Sequence, residues 1–91
     1  MADLITDNQD ASRYELEIDG GIVFAIYRRE NATVVIRHVE APPRLRGTGA
    51  AGRLMEGIVA RARADHLKLR PLCSYAVAWL RRHPEHRDLL A

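Results

Sequence analysis

Arg44-Leu45-Arg46-Gly47-Thr48-Gly49 lies between a stretch patterned as a strand and one patterned as a helix, and how it is read decides the fold. Two glycines in such a connection let backbone N–H groups converge on an anion, and the start of the following helix adds partial positive charge. Arg44 and Arg46 contribute full charges suited to phosphate oxygens. An ordinary strand-to-helix connection would also use glycines without any ligand, so the flanking pattern has to discriminate.

Upstream, Arg13 to Ile18 alternates, with Tyr14, Leu16 and Ile18 on one face and Arg13, Glu15 and Glu17 on the other, the period of a half-buried strand. Asp19-Gly20-Gly21 is a turn signal, and Ile22 to Arg28 reads as a second strand. After a turn at Glu30-Asn31, the β-branched run from Thr33 to Val39 makes a third, closed by Pro42-Pro43 because a proline pair cannot sit inside a ladder. The first half is therefore an antiparallel meander. In it His38 falls at even spacing from Val34 and Ile36, which predicts one shared face.

Downstream, Gly49 to His66 carries Leu54, Met55, Ile58, Val59 and Ala62 at helical spacing. Gly52 and Gly57 weaken that helix and imply close packing against a sheet or ligand. Lys68 to Leu72 fits a fourth strand, parallel to the third and joined to it through the helix as a crossover. Ser74 is the expected N-cap of a helix over Tyr75 to Arg82, and Pro84 to Leu90 reads as a further short helix. The fold class is α+β: an antiparallel meander, a β-α-β crossover and C-terminal helices.

Two familiar phosphate loops fail here. A Walker A loop needs a spacing and a Lys-Ser/Thr pair that are absent. Gly47-Thr48-Gly49-Ala50-Ala51-Gly52 matches the dinucleotide fingerprint G-x-G-x-x-G, but a meander precedes it and only one crossover follows, which is too few parallel strands for that fold. A third pattern is met: Arg44-x-x-Gly47-x-Gly49 satisfies Q/R-x-x-G-x-G/A, the acetyl-CoA motif of the GNAT N-acetyltransferase superfamily. The wider stretch His38 to Gly49, with Pro71-Leu72-Cys73-Ser74-Tyr75 and Arg82-His83-Pro84-Glu85, resembles the compact single-domain GNAT-like proteins, and the likeness runs from about Tyr14 to Leu90.

The resemblance implies a sheet whose central parallel strands splay apart, with acetyl-CoA or CoA as co-substrate in the gap. By position, the backbone of Arg46, Gly47, Thr48, Gly49, Ala50 and Ala51 would cradle the pyrophosphate, with Arg44 and Arg46 adding charge. His38 to Glu40 would line the pantetheine arm, and the Val39 N–H would face the developing oxyanion. The implied activity is transfer of acetyl to an unknown amine or protein acceptor. As a departure from the wider superfamily, the N-terminal helices and C-terminal strands that shape its acceptor site are not expected within these 91 residues. A non-catalytic CoA-binding, regulatory or protein-interaction domain is the alternative.

Two side chains are the catalytic candidates. Cys73 precedes a helix, where helix N-termini favour thiolates, and a cysteine here is a proposed active-site residue in the compact family; the competing reading is a small buried hydrophobe. His38 is either a base or acceptor-site group beside the thioester or a half-buried histidine at a sheet end. Glu40 acting through water and Tyr75 protonating the CoA thiolate are further readings, set against a solvated carboxylate and an apolar stripe with Ala78 and Trp79. Arg81, Arg82 and His83 would solvate a helix end or reach the CoA 3′-phosphate. His66 and His86 have no partners at metal-ligand spacing, so no metal is expected.

With 91 residues and no linker, a single domain over 1–91 is expected, with 1–10 as a flexible tail. The net charge is +2, and 5% aromatic residues is thin for base stacking, so nucleic acid is not the expected partner. One cysteine allows no internal disulfide, no apolar run nears the roughly 20 residues of a membrane helix, and Met1 to Gln9 has no signal-peptide core. The expectation is a cytoplasmic protein, monomeric or a weak homodimer.

Overall fold

A computed structural model describes residues 4–91. The alternating segment forms β2 (Arg13–Ile18) and turns through Asp19-Gly20 into β3 (Gly21–Glu30). Both turn residues have positive φ, 48° and 77°, the two-residue hairpin geometry that matches strand twist. A second two-residue connection leads to β4 (Thr33–Glu40), α1 (Ala50–Ala64) crosses over to β5 (Lys68–Pro71), and α2 (Ser74–Arg81) follows. With β1 (Thr6–Asn8) the sheet has the order β1-β2-β3-β4-β5, antiparallel except for the β4–β5 pair. Pro84–Leu89 is a 3-10 helix, after which Leu90 bridges Leu69 and the Ala91 N–H donates to the Leu69 carbonyl on the outer edge of β5.

Within the segment 1–10, expected as a flexible tail, residues 6–10 carry regular structure. Thr6–Asn8 pairs with Arg13–Glu15, and Gln9–Ala11 makes a 3-10 turn whose end is capped by the Asn8 side chain accepting from the Ala11 N–H at 3.3 Å. Residues 1–3 lie outside the described residues. Asp7 is held further by the Tyr27 hydroxyl, which donates to its carboxylate at 2.6 Å, across 20 residues of sequence.

Tyr14, Leu16 and Ile18 of β2 and Val23, Ala25 and Tyr27 of β3 bury one sheet face under α1, whose Leu54, Met55 and Ile58 are fully enclosed. Ala76, Trp79 and Leu80 of α2 join the same cluster, so both helices cover this face. Val35 is also fully buried yet lies outside that cluster, and Ile22, Phe24 and Ile26 do not pack against it. They belong to the opposite face.

One irregularity in β4 matters for the site. Tyr27 pairs with Ile36 but Ile26 pairs with His38, so Arg37 is an extra residue, a β-bulge that reverses the alternation. Val39, opposite Ala25, therefore takes the helix-covered face together with Val34 and Ile36. His38 and Glu40, opposite Ile26 and Phe24, take the uncovered one. The shared face predicted for His38 with Val34 and Ile36 is thus corrected by one inserted residue.

Burial, and secondarily Asp7, raises the phenol pKa of both Tyr14 and Tyr27 above the ordinary 10.0. Above that pH the unfolded chain releases these protons while the folded chain keeps them, so stability is complete below about pH 10 and falls as pH rises, by up to about 1.4 kcal/mol per pH unit for each tyrosine. Denaturant melts between about pH 8 and pH 11 should show that decline, and Tyr27→Phe should make it shallower.

Candidate functional site

The gap that defines the site opens where two parallel strands stop pairing. The β4–β5 ladder runs from Thr33–Lys68 to Ile36–Pro71 and ends with the Leu72 N–H donating to the Ile36 carbonyl at 2.9 Å. Beyond it β4 continues to Glu40 alone, while the other chain turns into α2. The Tyr27 N–H donates to Ser12, so the backbone groups of Tyr27 and, two residues on, Ala25 face β2. By ladder alternation Val39, opposite Ala25, exchanges no bond with β3, and its N–H points into the gap.

A cleft of about 430 Å³ fills this opening, lined by His38, Val39, Glu40 and Ala41 of β4 and its exit, by Leu45, Arg46, Gly47 and Gly49 of the loop, by Ala50 and Ala51 of α1 and by Tyr75 of α2. The loop is built from inside. Pro43–Leu45 forms a 3-10 turn with Leu45 buried as its anchor, and the Thr48 hydroxyl and N–H both donate to the Leu45 carbonyl, at 2.5 and 3.3 Å. Gly47 and Gly49 then adopt φ of 78° and 87°, a region costly for a residue with a Cβ. A Cβ at either would meet nothing within 4 Å, so both glycines face open space.

Gly49 is the N-cap of α1, with no side-chain cap bond and no acidic residue in the first turn. The first-turn N–H groups have no intrahelical acceptor. No side-chain cap and no acidic residue of the helix's own first turn competes for them, which suits an incoming phosphate.

The residues predicted for the cradle divide. Val39, Arg46, Gly47, Gly49, Ala50 and Ala51 line the cleft. Arg46 also donates through Nε to the Ala41 carbonyl at 3.2 Å, tying the loop to the end of β4. Thr48 closes the loop from within instead of lining the cleft. Arg44 is directed elsewhere: Nη2 donates to the Asp19 carbonyl at 2.7 Å and lies 3.1 Å from where a Gly21 Cβ would stand. Arg44 thus braces the loop against the β2–β3 turn, a contact 25 residues apart for which the sequence carries no signal.

Of the two catalytic candidates, His38 lines the cleft and Cys73 does not. His38 Nε2 and Glu40 Oε1 are 3.0 Å apart, both side chains about half exposed. Because a carboxylate only accepts, Nε2 carries the hydrogen in that pair, which leaves Nδ1 of a neutral ring as the acceptor. Cys73, not Ser74, caps α2: its Sγ accepts from the Ala76 N–H at 3.3 Å. It directly follows Leu72, at the point where the strands part.

Tyr75 joins the cleft from α2, where an apolar stripe with Trp79 had been the other reading. Burial pushes its phenol pKa up, with nearby Arg82 opposing and Cys73 reinforcing the shift, so the hydroxyl keeps its proton at neutral pH. At Gly52 a Cβ would stand 3.5 Å from Trp79 Nε1 and 3.7 Å from the Tyr75 hydroxyl, ordinary contact distances, so α2 lies against this position without requiring a glycine there. The close packing expected at this glycine is with the second helix. Among the described residues no group of three or more His, Cys, Asp or Glu could hold a metal ion, and no helix is long and apolar enough to cross a membrane.

A family model described as GCN5-related N-acetyl-transferase matches residues 13–89. No curated protein matches the chain.

Proposed function

This chain belongs to the GCN5-related N-acetyltransferase family, and from that premise we propose that it binds acetyl-CoA in the cleft between β4 and α1 and transfers the acetyl group to an amine. The observation that carries the reading is the uncapped start of α1 behind two positive-φ glycines, opening into the gap that β5 leaves beside Val39. The backbone N–H groups of Gly47 and of Gly49 to Ala51, with the Arg46 guanidinium, would hold the pyrophosphate.

Acetyl transfer from a thioester forms a C–N bond to the amine and breaks the C–S bond, the sulfur leaving with the electron pair. His38 Nδ1 would take the proton lost by the amine, with Glu40 holding the ring through Nε2. The Val39 N–H would face the charge that grows on the carbonyl oxygen. Tyr75, which lines the cleft and keeps its proton at neutral pH, would return a proton to the sulfur. Cys73 is the second candidate for handling acetyl or proton, from its position at the parting of the strands.

Calorimetric titration with acetyl-CoA tests the reading: saturable binding below millimolar concentration is expected, and no binding at millimolar ligand overturns it. His38→Gln should lower the transfer rate about a hundredfold, the lower end for loss of a general base, while leaving acetyl-CoA affinity unchanged. Cys73→Ser restores an oxygen cap, whereas Cys73→Ala loses about 1 kcal/mol of helix capping. A serine variant as stable as wild type but inactive would place Cys73 in the chemistry; an active one would leave it the cap alone.

A further inference from the structure

We propose that the amine acceptor carries an anionic group, a carboxylate or a phosphate, recognised by the arginine row Arg28 and Arg70 together with Arg37 on the uncovered face of the sheet. The inference rests on the acetyl-transfer reading and adds the acceptor class to it. Its starting point is access. α1 and α2 both cover the face that carries Val39, so a nucleophile reaches the end of the gap from the opposite face, where His38 and Glu40 stand.

That face is charged unevenly. Arg28 of β3, Val35 of β4 and Arg70 of β5 form one cross-strand row, a single residue, or about 3.3 Å of strand, before the Ile36–Pro71 pair where the strands part. Glu30 is the carboxylate shared by both guanidinium groups, 2.6 Å from Arg28 Nη2 and 3.5 Å from Arg70 Nη1. Two cations on one anion leave a positive charge unmatched. Arg37, the bulge residue next along β4, is exposed and makes no ion pair or hydrogen bond among the described residues.

Of the other carboxylates on this face, Glu15 and Glu17 lie on β2, away from the row, while Glu40 stands beside His38 near the end of β4. Glu15 is bound by Arg13, which itself lies over the Phe24 ring at 4.2 Å, and Glu40 is held by His38. Glu17, opposite Ile22, has no ion-pair partner among the described residues, and a neutral His38 leaves the charge of Glu40 unmatched. Near the reaction point Arg28, Arg70 and Arg37 thus outnumber Glu30 and Glu40, over a buried apolar residue, Val35, which suits an acceptor with an amine at one end and an anion a few atoms away. Guanidinium groups hold carboxylate and phosphate oxygens in paired hydrogen bonds, and side chains this exposed are free to turn toward them.

The test measures thiol release from acetyl-CoA by the full chain, with product masses, using γ-aminobutyrate, aminopropylphosphonate, butylamine and putrescine as acceptors. One of the two anionic amines should be acetylated with a KM about tenfold below that of butylamine, the worth of one charge-assisted contact; which of the two is better separates carboxylate from phosphate. Arg70→Gln, and independently Arg37→Gln, should raise the KM of the anionic amine several-fold with butylamine kinetics and acetyl-CoA affinity unchanged. The proposal is overturned if butylamine or putrescine is the better acceptor, or if the variants leave the anionic amine's KM unaltered. Saturable acetyl-CoA binding with no transfer to any of the four also overturns it while sparing the binding reading, whereas absent acetyl-CoA binding removes both.

Discussion

Gly47→Glu is expected to weaken acetyl-CoA binding about a thousandfold and leave the fold in place. Three effects add. The carboxylate would stand at the loop beside the first turn of α1, where the helix N-terminus favours an anion, and would occupy the position proposed for phosphate. Losing one charge-assisted phosphate contact costs about 1.5 to 3 kcal/mol, and a Cβ at the φ of 78° costs about 1 to 2 more. Together these reach about 4 kcal/mol, or three decades in Kd. No atom lies within 4 Å of a Cβ at this position, so the core is untouched and only the backbone cost, worth about 5 to 15 °C, should lower the melting temperature. Gly47→Ala isolates the backbone effect and should cost about tenfold. Calorimetry on both variants checks the partition; equal losses would mean that backbone strain, not charge, governs the site.

Leu54→Ala should remove about 3 kcal/mol of stability, the middle of the range for a leucine truncated in a closed core. Leu54 is fully buried on α1 in the cluster that also holds Leu16, Val23 and Trp79, so the cavity is bounded by a sheet below and a second helix beside it and cannot collapse easily. A domain of 91 residues has about 5 to 13 kcal/mol in total at typical stability per residue. The loss is therefore a large fraction of what holds the chain, and urea midpoints for wild type and variant would read it directly. An effect below about 1 kcal/mol would mean that α1 does not pack as described, and the position of its first turn at the cleft would fall with it.

Most of the fold is legible in short windows. The alternation from Arg13 to Ile18, the Asp19-Gly20 turn, the proline pair after β4 and the helical spacing from Leu54 to Ala62 each express a local preference, and the structure keeps all of them. Arg46, Gly47, Gly49, Ala50 and Ala51 reach the cleft because a strand-loop-helix connection is itself local: the positive φ of two glycines and the start of a helix lie within six residues.

What eluded the sequence depends on partners far along the chain. Arg37 is an ordinary strand residue by composition, and only the register of β3 against β4 makes it a bulge, which moves His38 to the open face and Val39 to the covered one. Arg44 fits a phosphate motif but finds the Asp19 carbonyl first, because the β2–β3 turn is folded against the loop. Thr6–Asn8 becomes a strand only because β2 offers an unpaired edge. Cys73 displaces Ser74 as the cap because the path out of β5, set by the Leu72–Ile36 bond, decides where α2 begins. Sequence patterns determined which elements form and where the glycine loop lies, since those follow from the conformations of neighbouring residues. Tertiary structure decided which face each side chain takes and which arginine meets the site, since hydrogen-bond register and competing acceptors exist only once distant segments are brought together.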